Sequence, residues 1–267
     1  MLQRAKIGEK GLEFEDKVEQ ALTVLKMHQV KEGYYLAFSG GKDSVVIYEL
    51  AKMAGVEFDA HYNFTTVDPP ELINFIRDKH SDVEMHYPEE TMWELIPRKL
   101  MPPTRMVRYC CDVLKEQGGN DREIVITGVR REESNNRASR CVFEQDSRKK
   151  DKFYLNPIIT WTDEDVWDFI EDYDLDYCKL YDEGFDRLGC IMCPMANKTQ
   201  MKFEADKYPK YYQNYIRAFD RMLEERERRG KETDWKTGEE VMKWWVNGGC
   251  KEKTAKGQCE LKMMSDN

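Results

Sequence analysis

A short segment at residues 39–44 combines two glycines, two serines and a lysine in an order that suits phosphate binding. The glycines let the backbone approach an oxyanion, and the amides that follow lie at the positive end of a predicted helix. Asp43 separates Lys42 from the next serine, which distinguishes the segment from a Walker A loop. A glycine turn capped by serine is the alternative. The candidate phosphate ligands are Ser39, Gly40, Gly41, Lys42, Asp43 and Ser44.

Four of the eight cysteines form two close pairs, which are candidate ligands for a metal ion or a cluster. Cys110 and Cys111 are adjacent, while Cys190 and Cys193 form a C-x-x-C, a spacing at which two thiolates can point at one ion. Four soft ligands suit tetrahedral zinc or an iron–sulfur cluster. Because neighbouring side chains diverge, the adjacent pair suits the separated corners of a four-iron cube better. A redox-active C-x-x-C and simple burial of all four thiols are the alternatives.

A third candidate group follows a predicted β-branched strand. Arg130 and Arg137 are fork-shaped donors that can bind phosphate or sulfate through two parallel hydrogen bonds. They come after the end of the strand, which is where ligands of open α/β sheets bind. Glu133 and Ser134 either orient Arg130 or contact the nucleotide. Surface ion pairing of the arginines is the alternative.

These candidates require strands and helices that alternate along the chain. Apolar runs predict strands at residues 34–38, 56–63, 83–87, 124–128 and 153–159. Periodicity and capping predict helices at residues 12–28, 45–53, 69–79, 162–172, 208–229 and 239–246. The alternation favours an α/β fold with a mostly parallel sheet covered by helices. Thr65 follows the second predicted strand and is a weaker candidate for the nucleotide pocket.

The predicted elements suggest three parts. We expect an N-terminal helix in residues 1–30, a nucleotide-binding domain that includes the cysteine site in residues 31–200, and a helical C-terminal appendage in residues 201–267.

The composition is that of a highly charged chain that can bury a full core. Of the 267 residues, 40% are hydrophobic and 35% are charged, and the formal net charge of −9 argues against wholesale coating of nucleic acid. Residues 98–152 nevertheless hold fourteen Lys/Arg and nine Asp/Glu, which suits a phosphate-rich substrate or a solvated basic face. We find no signal peptide and no apolar run of bilayer length. We therefore expect a cytoplasmic protein without membrane contact, whose cysteines stay reduced.

Five segments together resemble the phosphoadenosine-phosphosulfate (PAPS) reductase family, within the PP-loop ATP pyrophosphatase superfamily. They are residues 39–44, the pair Cys110-Cys111, and residues 128–137, 156–167 and 180–195. The last segment resembles the phage and mobile-element branch, and the chain is similar to the PAPS-reductase-like proteins of DNA phosphorothioation systems. The resemblance implies a doubly wound sheet of the adenine nucleotide alpha-hydrolase type that binds an adenine nucleotide. It also implies a 4Fe–4S cluster on the paired cysteines.

Two departures from the sulfonucleotide reductases of that family bear on the reaction. Those enzymes carry a catalytic cysteine in a C-terminal Glu-Cys-Gly-(Ile/Leu)-His motif, whereas Cys250 and Cys259 of this chain lie in other contexts. Those enzymes also tend to have an eroded phosphate loop, whereas residues 39–44 are complete. A complete loop suits a pyrophosphate leaving group and therefore favours ATP, with Mg²⁺ bridging the phosphates.

Three functions are compatible with these features. In the first, which we favour, an ATP pyrophosphatase adenylylates its substrate, expected to be a nucleic acid, and sulfur from a cysteine desulfurase or another donor displaces AMP. Lys42, Asp43 and Arg130 are then the catalytic candidates. In the second, a PAPS or adenylyl-sulfate reductase releases sulfite, with Cys250 or Cys259 as nucleophile. In the third, a nucleotide-sensing module contains a structural cluster.

Overall fold

The computed structural model of this protein describes residues 11–116, 118–119, 122–146, 149 and 151–247. The strands are β1 (Tyr34–Ala37), β2 (Phe58–Asn63), β3 (Glu84–His86), β4 (Ile124–Ile126), β5 (Phe143–Gln145) and β6 (Phe153–Leu155). The helices are α1 (Gly11–Met27), α2 (Lys42–Ala54), α3 (Pro70–Lys79), α4 (Met92–Lys99), α5 (Tyr109–Leu114), α6 (Asn135–Ala138), α7 (Asp163–Asp172), α8 (Lys198–Lys207), α9 (Pro209–Arg228) and α10 (Gly238–Val246). Short 3-10 turns lie at Arg131–Glu133 and Lys179–Tyr181. Among the helices described, none combines the length and the apolar character that crossing a bilayer requires.

The six strands form one sheet in the order β3-β2-β1-β4-β6-β5. Within the described sheet every neighbouring pair is parallel except β5 with β6. The chain runs outward from β1 to β3 and then continues on the other side of β1 with β4, which confirms the expected doubly wound, mostly parallel sheet. The reversal between β1 and β4 is a topological switch point, and ligands of such sheets bind beside the carboxyl ends of the two strands.

The predicted elements are confirmed with small shifts at their ends, and the largest shift has a local cause. The strand predicted over residues 153–159 ends at Leu155. Asn156 follows it and begins a turn in which Ile159 donates its backbone N–H to the Asn156 carbonyl (3.2 Å). The antiparallel edge strand β5 was not predicted, because its three residues are too short for a periodicity signal.

The chain divides into two compact units, each assembled from separate stretches of sequence. The first unit comprises Met1–Asn63, Pro70–His86 and Gln117–Leu188 and contains the sheet. The second comprises Phe64–Pro69, Tyr87–Glu116 and Gly189–Asn267 and contains α4, α5, α8, α9 and α10. The domain boundaries predicted at residues 30 and 200 stay a prediction.

In the first unit, α1 is anchored to the sheet and to the start of α7. Tyr34 of β1 is fully buried, and its hydroxyl donates to the Leu25 carbonyl in α1 (2.6 Å). Lys17 of α1 forms an ion pair with Asp165 of α7 (2.6 Å). Asp165 also accepts the Thr162 N–H (2.6 Å) in the predicted capping box. These contacts fix the first turn of α7.

In the second unit, α9 is the central helix and packs against α4 and α10. Tyr215 of α9 is buried beside Trp93 of α4, with ring centroids 4.9 Å apart, and its hydroxyl donates to the Ile191 carbonyl (3.1 Å). Trp245 of α10 donates its indole N–H to the Pro103 carbonyl (2.6 Å). Helix α9 is therefore used for packing and for holding the loop at Ile191, while α10 holds the loop at Pro103.

Candidate functional site

The phosphate loop connects β1 to α2 in the first unit. Gly40 has a φ of +72°, and a Cβ at this position would lie 2.6 Å from Leu72 Cδ1, so the loop requires glycine here. Gly41 is the N-cap of α2, and its carbonyl accepts the Ser44 hydroxyl (2.8 Å). Ser39 and Ser44 are themselves linked through their hydroxyls (3.2 Å). The loop is thus held in shape at the positive end of a thirteen-residue helix, where an anion is stabilised.

Lys42 is the first residue of α2 and is buried among acidic and aromatic side chains. Its Nζ lies 3.0 Å from Asp163 Oδ1 and donates to the Asp186 carbonyl (3.4 Å). The same ammonium group lies 5.7 Å from the ring centroid of Trp167 and 5.3 Å from that of Tyr181, within range of a cation–π attraction. The Lys42 backbone N–H donates to the Tyr181 hydroxyl (2.9 Å). Both the charge and the first amide of the helix are therefore directed into one enclosed site.

Arg130 reaches this site from the segment that follows β4. It is 3% exposed, and its guanidinium donates to Asp43 Oδ1 (2.6 Å), Asp163 Oδ1 (2.9 Å) and Glu132 Oε2 (3.2 Å). Gly128 allows the approach, since a Cβ there would lie 3.0 Å from the backbone carbonyl of Asp43. The structure thus brings Arg130 together with the phosphate loop, although eighty-seven positions separate it from Asp43.

One oxygen of Asp163 serves both buried cations, and this shared contact organises the site. Burial alone would raise the pKa of Asp163, but hydrogen bonds and charges from Lys42 and Arg130 lower it, so the carboxylate is ionised at neutral pH. Burial raises the pKa of Asp43, and the nearby charges of Arg130 and Lys42 oppose that rise. The Asp163 side chain is 53% exposed. It therefore lies where an entering phosphate could replace it as the partner of both cations.

The segment that follows β4 contains three other candidates, and their side chains lie in different surroundings. Glu133 accepts the Arg130 backbone N–H (2.9 Å) and forms an ion pair with Arg137. This contact supports the first of its two predicted roles, the orientation of Arg130. Ser134 is the N-cap of α6 and is exposed, while the Arg137 side chain is 37% exposed. Direct nucleotide contacts by Glu133, Ser134 and Arg137 stay a prediction.

The four paired cysteines all belong to the second unit. Cys110 and Cys111 lie in the first turn of α5, and Cys190 and Cys193 bracket a turn in which the Cys193 N–H donates to the Cys190 carbonyl (3.2 Å). All four are free thiols. They are also close enough to influence each other, because the charges of Cys190 and Cys193 act on Cys110. The two pairs thus belong to one unit, and their joint binding of one ion or cluster stays a prediction.

The C-x-x-C turn at residues 190–193 is held by its own backbone. Ile191 donates its N–H to the Val67 carbonyl (2.7 Å), and Met192 donates its N–H to the buried Glu204 carboxylate. Met192 has a φ of +58°, a strained conformation for a side chain larger than glycine. The strain is tolerated because these contacts fix the residues on either side of it.

Arg105 secures the segment that follows the turn. Its guanidinium donates to the carbonyls of Pro194 (3.1 Å), Met195 (3.2 Å) and Ala196 (2.9 Å). Three successive carbonyls directed at one guanidinium make a tight bend, because the five N–H donors of arginine lie in one plane. Arg105 precedes α5 in the chain, so it connects the regions that carry the two cysteine pairs.

The two predicted kinds of metal centre need different spacings of the thiols. In the part of the chain that the structure describes, no three of the four cysteine sulfurs lie within 4.8 Å of one another. A tetrahedral zinc site with bonds of about 2.3 Å needs sulfur–sulfur separations of about 3.8 Å. A four-iron cube is larger and presents separated corners. The choice between an iron–sulfur cluster and a zinc ion on Cys110, Cys111, Cys190 and Cys193 stays a prediction.

The electrostatics differ from one thiol to the next, and a hydrogen bond with Cys111 together with burial raises the pKa of Cys110. Hydrogen bonding with Cys110 lowers the pKa of Cys111 to about 6, aided by the charges of Lys115 and Arg108. Burial raises the pKa of Cys190 to about 11, and Lys115 opposes the rise. The negative charge of Cys190 in turn raises the pKa of Lys115, so this ammonium group stays charged beside the thiols. A cation in this place offsets the charge of a thiolate-bound centre.

Thr65 lies in the second unit with the cysteines. Its hydroxyl accepts from the Cys190 thiol (3.4 Å) and donates to Asp68 Oδ1 (2.7 Å). Its predicted contact with the nucleotide stays a prediction. Cys250 and Cys259, the candidate nucleophiles of the reductase hypothesis, lie outside the described residues.

Sequence reasoning missed three residues that the structure places at these sites. Asp163 follows the cap of a predicted helix, so its charge was attributed to helix capping alone. Tyr181 lies in a segment that was noted only for its resemblance to a family. Lys115 follows Cys111 by four residues, and that spacing on a helix puts both on one face. This signal could have identified Lys115.

Comparison with known proteins agrees with the sheet and the phosphate loop. Residues 33–196 match the phosphoadenosine phosphosulfate reductase domain, so the chain belongs to this family. The adenosine 5'-phosphosulfate reductase of Staphylococcus epidermidis is 30% identical over 199 residues, which are 68% of this chain and 79% of that enzyme. Relatives in this family are named as enzymes.

Two further comparisons concern length and fold. An uncharacterised protein of Methanocaldococcus jannaschii is 30% identical over 203 residues, which are 70% of this chain. The chain spans only 41% of that protein, and 47% of a second one from the same organism. The PAPS reductase of Candida auris, solved as a phosphate complex, aligns with a TM-score of 0.51 and 15% identity over 69% of this chain and 96% of its own. That likeness concerns the fold.

The shared contact of Asp163 leads to a prediction about anion binding. Asp163→Asn removes a carboxylate that competes for Lys42 and Arg130, so inorganic pyrophosphate should bind more tightly, by about tenfold or about 1.4 kcal/mol. Isothermal titration calorimetry at fixed ionic strength measures the change. Asp172→Asn, at the exposed end of the same helix, is the matched control and should leave the affinity unchanged. Weaker binding by Asp163→Asn would show that the carboxylate supports the cations rather than competing for them.

Proposed function

We propose that this chain is an ATP pyrophosphatase that adenylylates an oxygen of its acceptor and so prepares that position for sulfur insertion. The observation that carries the proposal is the complete loop at residues 39–44, whose Lys42 shares a carboxylate partner with the buried Arg130. Two enclosed cations at a helix N-terminus match a ligand with several negative charges close together. The triphosphate of ATP is such a ligand.

The reaction assigns a separate task to each of the catalytic candidates. An acceptor oxygen attacks the α-phosphorus of ATP, the bond to the bridging oxygen breaks, pyrophosphate leaves and the acceptor proton passes to solvent. Lys42 and the loop amides stabilise charge on the departing pyrophosphate, and Arg130 neutralises the α-phosphate. Asp43 would supply a carboxylate ligand to Mg²⁺, and the ion would offset part of the negative charge of the phosphates. A sulfur nucleophile then displaces AMP from the activated position.

The sulfur insertion in this proposal depends on the four paired cysteines. Cys110, Cys111, Cys190 and Cys193 would hold a 4Fe–4S cluster, in line with their number and their two close pairs in the sequence. When bound, such a cluster supplies a place that holds or relays sulfide. Lys115 keeps positive charge beside it, and the sulfur itself comes from a cysteine desulfurase or another donor.

We propose a nucleic acid as the acceptor, in line with the resemblance to phosphorothioation proteins. The basic segment at residues 98–152 supports this through its excess of positive charge. Much of that charge is engaged within each unit, however. Arg98 pairs with Glu90 (2.6 Å), and Arg140 pairs with Glu144. Fewer positive charges are therefore available to bind a nucleic acid than the count of Lys and Arg in this segment suggests.

The proposed centre predicts the metal content of the protein. Anaerobically purified protein should contain iron and sulfide in equal amounts and absorb broadly in the visible range. Cys190→Ser should lose both, because it removes a half-buried ligand whose turn is fixed by Val67 and Glu204. Cys141→Ser, which changes an exposed thiol, is the matched control and should retain both. A colourless, zinc-loaded wild-type protein would contradict the assignment.

A sulfonucleotide reductase is the second candidate function. It is favoured by relatives named adenosine 5'-phosphosulfate reductase, one of them 30% identical over 68% of this chain. In that reaction a cysteine thiolate attacks the sulfur of the sulfonucleotide, the nucleotide leaves, and thioredoxin then reduces the thiosulfonate to release sulfite. The two tail cysteines lack the sequence context of the known nucleophile. For this reason we place it second.

One set of assays separates the two reactions. With ATP, Mg²⁺, a sulfur donor and nucleic acid, the wild-type protein should release pyrophosphate steadily. Lys42→Ala should abolish the release because it removes the buried ammonium, whereas Lys52→Ala, at the half-exposed end of the same helix, should not. The same samples are tested with PAPS or adenylyl sulfate and thioredoxin. Sulfite formation without pyrophosphate release would establish the reductase, and tight nucleotide binding without either product would indicate a sensor.

A further inference from the structure

Two histidines and a glutamate converge on one face of the sheet in the first unit, and neither proposed reaction uses them. His61 Nδ1 lies 2.8 Å from His86 Nε2. The Glu84 carboxylate is 3.5 Å from His61 Nδ1 and 3.8 Å from His86 Nε2. Among the described residues, this is the group of histidine, cysteine and carboxylate side chains whose ligand atoms all lie within 4.8 Å of one another.

The pairing of β2 with β3 explains why these side chains meet. In the parallel register His61 is opposite Glu84, and Asn63 is opposite His86. Alternate residues of a strand point to the same face, so residues 61 and 63 share a face with residues 84 and 86. β3 is the edge strand and has only three residues. The cluster therefore connects a short edge strand to its neighbour.

The separations match those of ligands around one small cation. With bonds of about 2.0–2.1 Å, the edge of a tetrahedron of nitrogen and oxygen ligands is about 3.4 Å. The three measured separations of 2.8, 3.5 and 3.8 Å lie on both sides of this value. Two facing ring nitrogens also cannot both carry a proton at 2.8 Å, so one presents a lone pair to the other. A cation in place of the shared proton would accept lone pairs from both rings.

The neighbouring residues orient the His61 ring and leave one side of the cluster open to solvent. The His61 ring is stacked on Tyr35, with centroids 4.1 Å apart and planes 5° apart. Side-chain exposure rises from 11% at His61 to 39% at His86 and 66% at Glu84. A cation held here would thus have a rigid histidine on its buried side and water on the other. Three protein ligands with an open position are the arrangement of catalytic zinc sites.

We propose that His61, Glu84 and His86 form a binding site for a divalent transition-metal ion of the zinc type, which ties the edge strand β3 to β2 and keeps one coordination position open to solvent. The ligand set differs in kind from the four cysteines. Imidazole and carboxylate suit zinc and neighbouring divalent ions, whereas thiolates suit iron–sulfur clusters. The two sites would therefore select different metals.

Histidine-specific NMR tests the proposal in the full chain. The sequence has four histidines, at positions 28, 61, 80 and 86, so protein labelled with ¹⁵N-histidine gives four sets of ring signals. Addition of Zn²⁺ should shift the ring nitrogens of His61 and His86 and leave those of His28 and His80 in place. Spectra of His61→Gln and His86→Gln assign the signals. Zinc that binds only to the cysteines would leave all four rings unchanged, and that result would overturn the proposal.

Affinity for the site is read from the same ring signals as free Zn²⁺ is varied. Glu84→Gln removes a ligand and should weaken binding by at least the roughly 10–100-fold that loss of an outer partner costs. Because Glu84 is the most exposed member, this variant should keep its fold. His28→Gln, which changes a histidine stacked on Phe143, is the matched control and should bind as the wild type does. Equal affinities for Glu84→Gln and the wild type would contradict the assignment.

Discussion

Two buried positive charges need an anion, and this requirement organises the first unit. Lys42 and Arg130 are 5% and 3% exposed, and leaving such charges unpaired would cost several kcal/mol. Asp163 meets the need for both with one oxygen, while Asp43 adds a second contact to Arg130. The glycines of the loop, the reversal of the sheet at β1 and β4 and the cap of α7 all serve to bring these four side chains together.

The same requirement connects the resting structure with the proposed chemistry. A site in which one half-exposed carboxylate pairs with two buried cations is already shaped for an anionic ligand. An incoming polyphosphate would bring more charge than Asp163 and would gain the helix amides as well. Before a phosphate binds, the Tyr181 hydroxyl accepts a hydrogen bond from the Lys42 backbone N–H. In the second unit the ammonium group of Lys115 likewise lies near groups that carry negative charge when deprotonated, here the cysteine thiols.

The fold and much of the site could be predicted from the sequence because their signals are local. A glycine-rich segment between a short apolar strand and a helix identifies a phosphate loop, and strand–helix alternation indicates a parallel sheet. The ion pairs could not be predicted from the sequence, because Arg130 and Asp163 are thirty-three positions apart and only the order of the strands brings them together. The sequence also does not show which residues make up the second unit, because that unit combines three separate stretches of the chain. Spacing along the sequence grouped the cysteines but left zinc and iron open, because the identity of a bound metal depends on the positions of all four sulfurs.

Competition binding with the wild-type protein tests the central claim most directly, since it asks what the two buried cations recognise. A fluorescent ATP analogue is displaced in turn by ATP, pyrophosphate, AMP and adenylyl sulfate. If Lys42 and Arg130 bind the phosphates that leave as pyrophosphate, then ATP and pyrophosphate should compete strongly and AMP should compete weakly. Strong competition by AMP and adenylyl sulfate, with none by pyrophosphate, would contradict the account.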